Sequence, residues 1–215
     1  MNGELRHHVR FDWVVKGQQR GPLAVFDEPL IADAEGVALP SLGSIVPGWT
    51  LLVPRHTSPN IAALGRYGRD ALKRLREEVL VRLSASFEGV IYEFEHGPAM
   101  IGSILGCGVD QAHLHLVPLS FDLVDAAHSI SGKLIEFSGE KSDPWELVPS
   151  AKNYFLIRNS SSGDGVIVFP SRLESQAIRK IIATRMRLDS NWDYRLAAGL
   201  KQAALTRLAF NSHAI

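Results

Sequence analysis

The chain has 215 residues, 46% of them hydrophobic and 21% charged, which suits one large domain or two small ones with a proper buried core. Lys plus Arg number 23, as do Asp plus Glu, so the formal net charge is zero; no basic excess speaks for wrapping nucleic acid or coating an anionic membrane, although a small charged substrate in a local pocket stays allowed. The single cysteine, Cys107, excludes an intramolecular disulfide and fits a reducing cytoplasm, the N-terminus lacks the apolar core of a signal peptide, and no apolar run approaches the roughly 18 residues that span a bilayer.

Residues 1–20 read as a polar segment with a short helix or strand near Phe11 to Val15, and His7 and His8 as solvated. Residues 23–33 and 36–46 are short apolar pieces broken by turn signals, which suits short strands. Thr50 to Val53 is a better strand, stopped by Pro54, which cannot donate to a central ladder. Ser58 before Pro59 predicts a helix entry, Ser58 as N-cap. Leu72, Leu75, Val79, Leu80 and Leu83 then recur at spacings of three and four, an amphipathic helix over about residues 68–86 with a solvated charged face. Val90 to Phe94 alternates as a strand, with Glu95-His-Gly97 after it.

Next comes Gly106-Cys-Gly-Val-Asp-Gln-Ala-His-Leu-His-Leu-Val-Pro118. From Gln111 to Val117 polar and apolar residues alternate, the period of a half-buried strand. One face packs Ala and Leu. The other shows Gln111, His113 and His115, roughly 7 Å apart from one to the next. The glycines before it let the backbone turn tightly and present amides to an anion. Imidazoles beside a phosphate cradle suggest phosphoryl chemistry; a metal-ligand pair and a plain polar sheet face are the other readings. Several strands, one long helix and a final strand pair make an α+β protein, an antiparallel sheet with a helix on one face.

Beyond Pro118, residues 120–151 read as connecting structure, Asn153 to Arg158 and Gly165 to Phe169 as a hairpin across a Ser-Gly-Asp-Gly turn, a helix as carrying Ile178, Ile181, Ile182 and Met186, and a last helix as spanning about Leu196 to Leu208.

Three ordered segments resemble the histidine-triad (HIT) family. Gln111-Ala-His-Leu-His-Leu-Val is similar to its His-x-His-x-His signature, with Gln111 in place of the first histidine. Gly48-Trp-Thr-Leu-Leu-Val-Pro-Arg-His56 resembles the strand that ends in Pro, basic residues and His. Phe94-Glu-His-Gly97 with Gly106-Cys-Gly108 resembles the strand and phosphate loop before the triad, closer to the galactose-1-phosphate uridylyltransferase branch than to the smallest members. The resemblance covers about residues 20 to 120. It implies a five-stranded antiparallel sheet with a long helix packed on it, extended by a partner chain or a second half. On that reading residues 1–120 are a HIT-like catalytic domain. Residues 121–215 are a C-terminal α/β extension of a hairpin plus two helices, either a degenerate second half or a family-specific cap.

The resemblance makes His113 a nucleophile toward an α-phosphorus, its other ring nitrogen donating to the main-chain carbonyl of Gln111. Gln111 keeps that carbonyl but loses an ionisable imidazole. His115 is expected to donate to the phosphate or protonate the leaving oxygen, its alternative being a satisfied polar strand residue. The amides of Cys107, Gly108 and Val109, with the Ser103 hydroxyl, are expected to hold non-bridging oxygens. His96 lines the phosphates or satisfies a turn, and Arg55 and His56 offer positive charge to a polyphosphate, with a plain surface Arg55 as the alternative. Cys107 is expected to be inert. The segment Ser41 to Pro47, where many members of the family carry an acid for the ribose hydroxyls, has no carboxylate, so Ser41 or Ser44 takes the ribose role or the ligand is no ordinary ribonucleotide; Leu42, Ile45 and Trp49 form a base pocket or plain core, with core favoured for Trp49. His128 and His213 show no partners. Asn191 to Arg195 packs the last helix or brings Arg195 over the site, and Ser175-Gln176 before Arg179-Lys180 could also approach a phosphate, although nothing in the spacing requires it.

The expected function is a nucleotidyl hydrolase or transferase working through a covalent nucleotidyl-histidine on a small nucleotide or nucleotide conjugate. No cofactor, metal, nucleic acid or membrane is called for, and the resemblance implies a cytoplasmic homodimer. Two alternatives stand beside it: a non-catalytic nucleotide-binding protein, and a metal-dependent phosphohydrolase using His113, His115 and His56 or His96.

Overall fold

The computed structural model describes residues 10–106, 109–139, 143–188 and 191–212. His7, His8, Cys107, Gly108 and His213 lie outside them. One antiparallel sheet of eight strands organises the chain, in the order β1-β2-β3-β5-β4-β7-β8-β6. The strands are β1 (Ile31–Ala32), β2 (Gly36–Pro40), β3 (Thr50–Pro54), β4 (Val90–Gly97), β5 (Leu114–Leu119), β6 (Gly132–Phe137), β7 (Tyr154–Asn159) and β8 (Gly165–Pro170). The helices are α1 (Asp12–Val15), α2 (Ala24–Asp27), α3 (Gly65–Ser86), α4 (Leu123–Ala127), α5 (Ala177–Arg185) and α6 (Leu200–Ser212). No helix of the described residues is long and apolar enough to cross a membrane.

The sheet has eight strands where five were expected. Five come from the first half, and three from the second are added along β4. The cause is local: β4 is eight residues long and would otherwise expose an edge of unpaired backbone groups. Phe155 to Asn159 fill it in register, Tyr92 opposite Asn159 and His96 opposite Phe155. The hairpin of β7 and β8 follows the expectation from its turn. β6 does not: three of its six residues are exposed and none is fully buried, so Gly132–Phe137 carries little apolar alternation.

Two faces of the sheet bury different cores. On one, Leu72, Leu75, Val79 and Leu83 of α3 pack on Leu52, Leu114, Leu116 and Leu156, with Phe210 of α6. On the other, Trp49, Phe94, Phe155 and Val117 pack with Ile178 and Ile182 of α5. On that same face, toward β2, Phe11 and Val14 pack on Val37, Leu39, Leu51 and Val53. The helix α3 begins at Gly65, three residues before the expected start. Ser58 does not cap it: its hydroxyl donates to the Asn60 carbonyl, and the Asn60 side chain accepts from the Ala63 amide, capping a 3₁₀ turn at Ala62–Leu64 instead.

Buried charge ties the α3 face together. Glu93 is fully buried, and both its oxygens accept from Arg76 at 2.5 Å. Two positions on, Glu95 accepts from the Ile61 amide at 2.6 Å, Trp145 Nε1 at 2.8 Å and Tyr154 OH at 2.6 Å. Burial outweighs those three donors and pushes its carboxyl up to about 7. Glu95 thereby joins the loop before α3 to β7 and to the 3₁₀ turn Pro144–Leu147.

Arg76→Met strands the Glu93 carboxylate in a dry interface, and urea unfolding should show a loss of about 3–5 kcal/mol. Arg76→Met combined with Glu93→Leu should recover most of it. A single variant as stable as the native chain would contradict the pairing.

Candidate functional site

The ladder between β3 and β5 ends at Leu52 opposite Leu114. Beyond it Pro54 has no amide proton to give. Side chains take over: Gln111 is buried, and its Nε2 donates to the carbonyls of Pro54 and His56, both at 2.9 Å. Both neighbours are acceptors, so the amide nitrogen must face them. A neutral imidazole carries one N–H and could serve only one of those carbonyls, which is a physical reason for glutamine here. The Ala112 amide donates to the Ser58 carbonyl at 2.7 Å and closes the staple. β5 therefore begins one residue after His113.

The staple leaves the Gln111 carbonyl pointing back at the next polar residue, where His113 Nδ1 lies 2.9 Å from it. A carbonyl only accepts, so Nδ1 holds the proton and Nε2 of the neutral ring carries the lone pair. His115 has the opposite tautomer. Trp49 Nε1, a donor only, lies 3.0 Å from His115 Nδ1, so His115 keeps its proton on Nε2. Phe94 stacks on the His115 ring at 4.3 Å and 5°. The ring centroids of His113 and His115 are 5.0 Å apart, and those of His96 and His115 5.8 Å. Trp49 is fully buried core, as expected, but its indole N–H also sets a neighbour's tautomer. Sequence reading misses that role because only the register brings residue 49 beside residue 115.

All three imidazoles are neutral near pH 7. Burial lowers His113 to about 4, with the Gln111 carbonyl opposing and Arg10 assisting. Burial, then His113 and Arg179, lowers His96 to about 3. His115 falls well below its ordinary value, mainly through burial.

A small cavity of about 40 Å³ adjoins them. His96, His113 and His115 line it together with Arg10, Arg179, Phe11 and Tyr194. Ordinary ligand pockets are roughly 300–1,000 Å³, so this space suits one compact polar group. Arg10 comes from the segment before α1 and donates to the buried Asp27 at 3.2 Å. Arg179 comes from α5, lies 4.7 Å over the Trp49 ring, and donates to the carbonyls of Trp192, at 2.9 Å, and Gly43. Gly43 has φ +74°, and a Cβ there would fall 2.7 Å from the Arg179 guanidinium and collide with Tyr194, so only glycine lets both through. Gln176 donates to Asp193 at 3.2 Å and accepts from the Tyr194 amide at 3.3 Å, fixing that segment.

The expected phosphate ligands scatter. Val109 lines the cavity and packs on the Phe11 cluster. The Ser103 hydroxyl accepts from the Leu105 amide at 3.3 Å and donates to Asn153 at 3.5 Å, outside the lining. Arg55 donates to the carbonyls of Asp33, at 3.1 Å, and Val14, at 3.0 Å, which anchors α1 to the end of β3. His56 contributes only its carbonyl, to Gln111, and is exposed. Ser41 and Leu42 reach the cavity, Ser44 bonds back to Ser41, and Ile45 is core. Arg195 turns to Asp193 at 2.6 Å; Tyr194 is the residue of that segment that reaches the cavity. His128, expected to lack a partner, lies 3.2 Å from Glu136. No group of three His, Cys, Asp or Glu that could hold a metal occurs among the described residues. A wider hollow of about 510 Å³ lies on the α3 face, away from the histidines, with Arg69 and Arg76 on its rim paired to Asp143 and Glu93.

No family model matches the chain, and no curated protein does. Among solved structures it is similar to a Hit-like protein involved in cell-cycle regulation from Bartonella henselae, at 13% identity and a TM-score of 0.37, over 50% of this chain and 74% of that one. That likeness is too slight to speak for fold or chemistry.

Three neutral histidines, His96 and His115 buried and His113 half-buried, have a pH signature. Unfolded imidazoles titrate near 6.5, above their folded values, so their contribution to stability is full above about pH 6.5 and is lost as pH falls toward 4 and below. Glu95 runs the other way: its contribution is full below about 4.5 and is lost as pH rises through 7. Comparing native protein with His96→Phe cancels Glu95. The variant's thermal midpoint should fall less steeply with acid between pH 6.5 and 4.5, the difference approaching about 1.4 kcal/mol per pH unit. Parallel curves would contradict a depressed His96.

Proposed function

We propose that the chain is a HIT-like nucleotidyl hydrolase or transferase in which His113 attacks the α-phosphorus of a nucleotide conjugate. The observation that supports this best is the 2.9 Å contact of His113 Nδ1 with the Gln111 carbonyl, which reserves Nε2 as a lone pair beside a cavity with two guanidiniums. Nε2 forms the P–N bond as the P–O bond to the leaving group breaks, and that oxygen leaves with the bond's electron pair as an anion, taking any proton it needs from solvent. Water or an acceptor hydroxyl then attacks phosphorus and gives its proton to solvent, the P–N bond breaks, and its electron pair returns to Nε2. The proton on Nδ1 stays throughout, held by Gln111, so glutamine at the first position does not remove the orienting group.

His115 serves this reading as a hydrogen-bond donor through Nε2–H, aimed by Trp49, because a ring so far below its ordinary pKa holds little releasable charge. Of the expected phosphate ligands, Val109 and His96 fit the cavity, whereas Arg55, His56 and Ser103 fit structural duties. The cavity takes a phosphoryl group and no more, so the nucleoside lies outside it, toward Leu42 and Tyr194, or enters as Phe11 moves aside. A second half that continues the sheet suits the uridylyltransferase branch of the resemblance, and a cytoplasmic homodimer goes with the same reading.

Incubation with α-³²P-labelled dinucleoside polyphosphates, nucleoside phosphoramidates and nucleotide sugars, followed by acid and alkaline quenching, tests it. Label that is acid-labile, alkali-stable and lost in His113→Ala is expected. Nucleotide binding without label or turnover, unchanged in His113→Ala, would replace the enzyme with a non-catalytic binding protein.

A further inference from the structure

The cavity beside the histidines holds two charges that the covalent step does not use. Arg10 is nine-tenths buried, and its only hydrogen-bond partner among the described residues is Asp27, through one terminal nitrogen. Its Nε is buried with no hydrogen-bond partner, and so is His96 Nε2, in a histidine only 4% exposed. Both residues line the same cavity. Buried polar atoms in folded proteins are nearly always paired, so two unpaired ones in residues that line one small hollow point to a polar group binding there. Arg179 joins them on the cavity wall, its guanidinium held by the carbonyls of Gly43 and Trp192. Asp27 is the carboxylate partner of Arg10 and is not among the lining residues. The lining thus has two permanent cations, three neutral imidazoles and no carboxylate, in about 40 Å³.

We infer that this cavity is a binding site for a tetrahedral oxyanion, held between Arg10 and Arg179. Guanidinium is well matched to such a guest, because it stays charged when dry and offers planar pairs of N–H donors to oxygens of phosphate geometry. The Nε–H of Arg10, and the Nε2–H of His96 in the tautomer that places its one proton there, supply the further donors that a compact anion needs on its remaining oxygens. The two arginines arrive from opposite ends of the chain, Arg10 ahead of α1 and Arg179 on α5, so the anion bridges the N-terminal segment to the second half. The inference rests on the phosphoryl reading of the same site, and adds the residues that bind and the class of group they bind. The phosphoryl group can come as inorganic phosphate or as the terminus of an ester.

Calorimetric titration of the full chain with inorganic phosphate and, separately, adenosine 5′-monophosphate tests it, with sodium chloride at matched ionic strength as control. Saturable one-site binding of phosphate is expected. If the monophosphate also binds and competes, the group comes as an ester; if phosphate alone binds, as the free ion; either supports the site. Removing Arg10 alone would strand Asp27, so Arg10→Met is made in an Asp27→Asn background and compared with Asp27→Asn alone. Loss of that guanidinium should weaken phosphate by about tenfold or more, as for a lost charge-assisted hydrogen bond, and Arg10→Lys should retain part of it. Arg179→Lys should weaken it as well while keeping the native circular dichroism spectrum. No binding beyond the chloride control, or equal binding with and without the Arg10 guanidinium, would overturn the inference. His113→Ala should still bind phosphate, so failure to label His113 would defeat the covalent reading and leave this one standing.

Discussion

The paired use of Gln111, main-chain carbonyl to one side and side-chain amide to the other, is the constraint on which the site depends. The amide staples the end of β5 to the carbonyls of Pro54 and His56, where proline has ended the ladder. Because that staple is tight, the carbonyl has one direction, and His113 is read in one tautomer. Register does the rest. His115 is opposite Leu51 on one side and Phe94 on the other, which sets its ring flat on Phe94 and within reach of the Trp49 indole. Two histidines two residues apart thus present opposite chemistry at Nε2, a lone pair on one and a proton on the other.

Dryness makes that arrangement work and makes it costly. Three imidazoles are neutral near pH 7 mainly because burial disfavours their charged form: His96 and His115 are closed in, and His113 is half-buried. Two guanidiniums cannot lose theirs, and their field pushes the same imidazoles further toward neutrality. The lining of the small hollow therefore carries positive charge and no carboxylate. On the proposed reading an anion there balances it, and the lone pair beside that anion has a phosphorus to attack.

Much of this was legible from residues in order. Leucines spaced three and four apart gave α3, and the Ser-Gly-Asp-Gly turn gave the β7–β8 hairpin. The alternation from Gln111 to Val117 gave the adjacency of His113 and His115, but β5 begins only at Leu114 and is buried on both faces rather than half-buried. The misses have physical causes. Gly132–Phe137 is an edge strand with three of its six residues exposed and none fully buried, so no apolar period marks it. Ser58 has the composition of an N-cap, but Asn60 outcompetes it for the turn. Arg55 and His56 stand next to the key strand in sequence, yet the carbonyls of Asp33 and Val14 and the Gln111 amide claim them. Arg10 and Arg179 carry no local motif; they meet only because α1 and α5 cover the same face. Of the sheet's three extra strands the hairpin was legible, and its docking along β4 was one of the two extensions the resemblance allowed; only β6 was not.

The tautomer and charge of His113 carry the account. Nitrogen-15 NMR of histidine-labelled protein, followed from pH 8 to 4.5, reads both at once. The account predicts a His113 ring protonated at Nδ1 and bare at Nε2, neutral until about pH 4. A ring protonated at Nε2, or one that titrates near 6.5, would contradict it.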